Sequence, residues 1–62
     1  MTSTTANPAQ ALEAQSIQAC DLDLRADQEE AAGRHGLAKS LRRRARGHRA
    51  AATRIARREG WT

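Results

Sequence analysis

The sequence predicts an all-α fold: an antiparallel two-helix hairpin, over about 8–32 and 37–59, that pairs with a second copy into a four-helix bundle. Three observations predict it. Leu41, Ala45, His48, Ala52 and Ile55 recur at alternating four- and three-residue steps, the spacing of one face of an α-helix. Asn7-Pro8 combines a residue suited to an N-cap with one suited to the first helical position. Gly33 and Gly36 bracket Arg34-His35, a break between two stretches that otherwise have helical spacing.

Taken in order, residues 1–7 form a small, polar head that is expected to be disordered. Residues 8–62 then form a single hairpin module. Gln10 stands three residues after Asn7, an approximate capping box. The first helix carries two apolar strips, Ile17, Cys20, Leu24 and Ala31 in one, and Leu12, Ala19, Leu22 and Ala26 beside it. Together they make an arc broad enough to touch two neighbouring helices. Asp21 with Arg25 and Glu30 with Arg34 are four-residue ion pairs that support this helix. Arg34 and His35 suit its negative C-terminal end, with His35 as a hinge residue.

A connection of three to five residues favours the hairpin over its rival, one long helix weakened at two glycines. Two short helices bury each other's stripes, whereas one long helix alone buries neither. The second helix starts at Leu37 and tolerates Gly47 at a cost of about 1 kcal/mol relative to alanine. Gly60 suits the position just past its end, with Trp61 folding back on Ile55 or Ala56 or standing out as an anchor for a partner.

Composition limits what such a hairpin can do. Sixty-two residues with few large apolar side chains make a thin core, so a second copy or another partner is expected to complete it. Cys20 is the lone cysteine, which excludes an internal disulfide and a cysteine-rich metal site; it reads as a small buried hydrophobe. His48 sits on the apolar stripe without companions spaced for catalysis or metal binding, and reads as partly buried between helices. The chain shows no nucleophile–base pair, phosphate loop or metal cluster, so an enzyme, a cofactor and a small-molecule substrate are not expected. No run approaches the ~20 apolar residues of a membrane span. Met1 to Gln10 has neither the basic start nor the apolar run of a signal peptide, which makes the cytoplasm the expected compartment.

Charge divides at the hinge. Residues 1–36 carry six acids and two bases, a net of −4, and residues 37–62 carry nine bases and one acid, a net of +8. Within the basic half, Lys39 and Arg43, Arg42 and Arg46, and Arg54 and Arg58 are like-charge pairs at four-residue spacing, which weaken an isolated helix. Phosphates could relieve that repulsion through bidentate guanidinium contacts. Carboxylates could do so too, from Asp21, Asp23, Asp27, Glu29 and Glu30 of the first helix or from an acidic partner.

The run Leu41 to Arg58 resembles the arginine-rich motifs of small viral and phage RNA-binding peptides, in arginine density and helical propensity. The resemblance is compositional and covers under a third of the chain. The basic run contains no aromatic residue to stack on bases, so contact with the phosphate backbone is expected rather than base reading.

The expected function is that of a small nucleic-acid-binding accessory or regulatory protein, acting on DNA or RNA. Its candidate contacts are Arg42, Arg43, Arg44, Arg46, Arg49, Arg54, Arg57 and Arg58. The expected interface residues, within the hairpin or between copies, are Leu12, Ile17, Leu24, Leu41, Ala45, Ala52, Ile55 and Trp61. An origin in a phage or mobile element of a high-GC bacterium fits the size and the alanine–arginine bias. The alternative is a protein-interaction module, an adaptor, inhibitor or assembly subunit whose arginines dock an acidic surface.

Overall fold

The computed structural model describes residues 7–61; of the head 1–7 expected to be disordered, residues 1–6 lie outside them, and Asn7 is the N-cap of the first helix. Two helices, α1 (Pro8–Ala31) and α2 (His35–Glu59), form an antiparallel hairpin. Contacts at opposite sequence directions set the register: Arg42 reaches Asp27 and Glu30, Arg49 reaches Asp23, and His48 reaches Gln15.

Local chemistry fixes the ends. The Asn7 side chain accepts a hydrogen bond from the Ala9 N–H at 2.9 Å, and Pro8 occupies the first helical position, where no N–H is needed. This cap satisfies the second helical N–H, not the Gln10 N–H that a capping box uses. At the other end Gly33 takes φ +85°, open to glycine at little cost. The Arg34 N–H then donates to Glu29 O at 2.8 Å and the Gly33 N–H to Glu30 O at 3.0 Å, a Schellman closure. α2 ends the same way: Gly60 has φ +74°, the Trp61 N–H donates to Ala56 O at 2.8 Å, and the Gly60 N–H donates to Arg57 O.

Only the first hinge glycine breaks a helix. Gly36 lies inside α2, which starts at His35, two residues earlier than expected. The Schellman closure completes the reversal within Ala32–Arg34, so nothing obliges Gly36 to leave the helical conformation. The turn also changes an ion pair. Arg34 pairs with Glu29 and not Glu30, because the chain has left the helix by Gly33 and Arg34 no longer follows Glu30 by one helical turn.

Among the described residues the core is two leucines and five alanines: Ala19, Leu22 and Ala26 from α1, and Ala38, Leu41, Ala45 and Ala56 from α2. Leu41, 2% exposed, is the largest fully buried side chain. Leu12, His48, Ala52 and Ile55 are half-buried along the same seam. Of the two strips of α1, the one with Leu12, Ala19, Leu22 and Ala26 faces α2. The other is turned to solvent, with Ile17 54% and Leu24 58% exposed.

Cys20 is exposed with that outer strip, which corrects its reading as a buried hydrophobe. The reason is rotational. With Asp23, Asp27 and Glu30 along the edge of α1 that meets Arg42 and Arg49, Ile17 and Leu24 point away from α2, and Cys20 lies on the exposed flank beside Arg49.

Leu41→Ala is expected to cost about 2–5 kcal/mol, enough to unfold so small a hairpin. Leu24→Ala should stay within about 0.5 kcal/mol at low protein concentration. Thermal melts followed by helical circular dichroism compare them; equal losses would mean that α1 presents its other strip to α2.

Candidate nucleic-acid interface

The basic residues of α2 divide by direction, because a helix turns about 100° per residue. Arg42 and Arg49 lie seven residues apart on the edge beside α1, and both meet carboxylates there. Arg42 donates through Nη1 to Glu30 at 3.0 Å and through Nη2 to Asp27 at 3.1 Å. Arg49 pairs with Asp23 at 2.5 Å. Hydrogen bonds to Glu30 and Asp27 push the Arg42 pKa up, and the hydrogen bond to Asp23 does the same for Arg49. Both guanidinium groups stay charged.

Glu30 is the centre of this edge, bonding both Arg42 and the Nδ1–H of His35. Those contacts, Arg42 first, hold its carboxyl below the usual carboxylate range. His35 is thus the first residue of α2 and a partner of Glu30, as well as a neighbour of the turn. One turn pair further along the seam, His48 donates its Nδ1–H to Gln15 Oε1 at 2.6 Å, a partly buried polar bond between the helices.

The other cations of α2 point elsewhere. Lys39, Arg43, Arg46, Arg54 and Arg57 follow one another at four-, three-, eight- and three-residue steps, a strip on the face opposite the Leu41–Ala45 core. Arg44 and Arg58 flank it. All seven are exposed, and among the described residues none forms an ion pair. Of the eight arginines read as candidate contacts, the structure therefore places six in solvent and two, Arg42 and Arg49, against α1. Lys39 joins the strip although it was not among those candidates; its four-residue spacing from Arg43 was the available signal.

The candidate interface residues divide as well. Leu41 and Ala45 are buried, and Leu12, Ala52 and Ile55 half-buried, within the hairpin. Ile17, Leu24 and Trp61 are exposed. Leu37, one turn before Leu41, is also 46% exposed.

Among the described residues no group of three or more histidine, cysteine or acidic side chains could hold a metal ion. No helix of these residues is long and apolar enough to cross a membrane. No protein family, curated protein or solved structure matches the chain.

The depressed Glu30 pKa gives a signed prediction. Its stabilisation is present above the unfolded carboxyl value of about 4.3 and is lost as pH falls through the lower folded value. Melting temperature should fall as the solution is acidified below pH ~4, and Glu30→Gln should flatten part of that fall. Parallel acid profiles for the two proteins would show that the Glu30 contacts add nothing to the fold.

Proposed function

We propose that the protein is a small nucleic-acid-binding accessory protein that contacts phosphates through the outer face of α2. One observation carries the reading: seven cations of that helix face solvent without a carboxylate partner among the described residues, while α1 has already taken up Arg42 and Arg49. Like charges at helical spacing repel. An array of phosphates supplies counter-charge at a density that the three acids outside the ion pairs, Glu13, Asp21 and Glu59, do not. Lacking aromatics, the strip suits backbone contact with little preference for base sequence.

Within this reading Arg43, Arg44, Arg46, Arg54, Arg57 and Arg58 are the direct contacts, with Lys39 beside them. Arg42 and Arg49 act first as struts that hold α2 against α1. Pairing of two hairpins through the exposed Ile17–Leu24 face belongs to the same proposal and would build the four-helix bundle. Its mark is a stability loss in Leu24→Ala that grows with protein concentration; a loss absent at every concentration would remove the pair.

The exposed Trp61, three residues after Arg58 in the sequence, favours a second reading, in which the basic face and the tryptophan together dock an acidic protein surface. Fluorescence anisotropy with duplex DNA, single strands and structured RNA separates the two. Tight binding that weakens steeply with salt is expected. Replacing Arg43, Arg46, Arg54 and Arg57 with Gln should cut it strongly and lower the salt slope by about four. Binding unchanged in that variant would sink the surface assignment, and no binding to any nucleic acid would leave the protein-docking reading.

A further inference from the structure

Resting on the phosphate-contact reading, we propose that α2 lies across the major groove of duplex DNA, one cation cluster on each phosphate backbone. The exposed strip is not evenly charged. Lys39, Arg43 and Arg46 form one cluster, and Arg54, Arg57 and Arg58 form the other. Between Arg46 and Arg54 the outward positions are Gly47, Ala50 and Thr53, all exposed and uncharged. Arg49, the one arginine in that interval, is turned to Asp23. Eight residues of helix separate the inner edges of the clusters, about 12 Å along the axis. The B-form major groove is about 12 Å wide and admits an α-helix, whereas the minor groove is about 6 Å wide.

Gly47 adds an observation from packing. A Cβ built there meets nothing within 4 Å, so the hairpin does not require glycine. The residue nevertheless weakens the helix relative to alanine. A cation-free waist of minimal side chains lets the helix backbone come close to the groove while long arginines reach outward on either side. Such a waist carries no group long enough to read base edges, so shape and phosphate spacing set the preference. A-form RNA presents a deep, narrow major groove that excludes a helix, and a single strand lacks the second backbone.

The test uses the full chain at about 0.15 M salt. Its ligands are a mixed-sequence DNA duplex, one of its strands alone and the RNA duplex of the same sequence. The DNA duplex is expected to bind at least about tenfold tighter than the other two, a gap of about 1.4 kcal/mol. Gly47→Gln should lower duplex affinity by a similar factor while circular dichroism shows undiminished helix. Gly47→Ala should raise the melting temperature, which confirms that the glycine does not serve the hairpin. Phosphate-ethylation interference should mark both strands across one major groove. Equal affinity for all three ligands, a silent Gly47→Gln with helix intact, or interference on one strand alone would overturn the groove-spanning geometry and leave phosphate contact standing. Absence of binding to every ligand would overturn both.

Discussion

Everything in this hairpin depends on how closely two alanine-bearing faces can approach. Ala19 and Ala26 of α1 and Ala38 and Ala45 of α2 are the most completely buried residues with Leu41, at 2% exposure or less. Small side chains bring the two helices near enough for Asp23, Asp27 and Glu30 to meet Arg49 and Arg42 across the seam. Burial of alanine contributes less than burial of leucine, so the ion pairs and the Gln15–His48 bond matter here for register more than for bulk stability. An apolar stripe of alanines alone would slide; charged pairs at fixed steps stop it.

That register then decides what the surface offers. Rotating α1 so that its acids meet α2 leaves Ile17 and Leu24 in solvent. On α2, the same pairing fixes one edge against α1 and directs the Lys39-to-Arg57 strip away from it. A protein with net charge +4 thus becomes strongly asymmetric, with local neutrality at the seam and a positive outer face. Such an asymmetric field steers anionic partners and strengthens their encounter at low salt. The acidic half of the chain is therefore structural before it is a surface, since four of its six carboxylates meet bases.

Much of the fold was legible in the residues. Asn7-Pro8, the Leu41–Ile55 stripe and the Gly60-Trp61 ending each carry local chemistry that needs no tertiary information. Gly33 was legible as a break, but Gly36 was not separable from it, since both have the same freedom and only the closure at Arg34 makes one of them redundant. Which strip of α1 faces inward was illegible: both have helical spacing, and each carries two large aliphatic side chains, Ile17 and Leu24 in one and Leu12 and Leu22 in the other. Packing of Ala19, Leu22 and Ala26 with Ala38, Leu41 and Ala45 goes with that choice, as do ion pairs that join residues up to 26 positions apart, such as Asp23 and Arg49. For the same reason the arginines were legible as a set, while the separation of Arg42 and Arg49 from the rest required the register.

The most direct measurement is an NMR titration that follows the arginine Nε–Hε signals as duplex DNA is added at about physiological ionic strength. Large shifts at Arg43, Arg46, Arg54 and Arg57, with Arg42 and Arg49 nearly still, are the expected result. Shifts concentrated at Arg42 and Arg49, or no shifts at all, would contradict an outward basic face that meets phosphate.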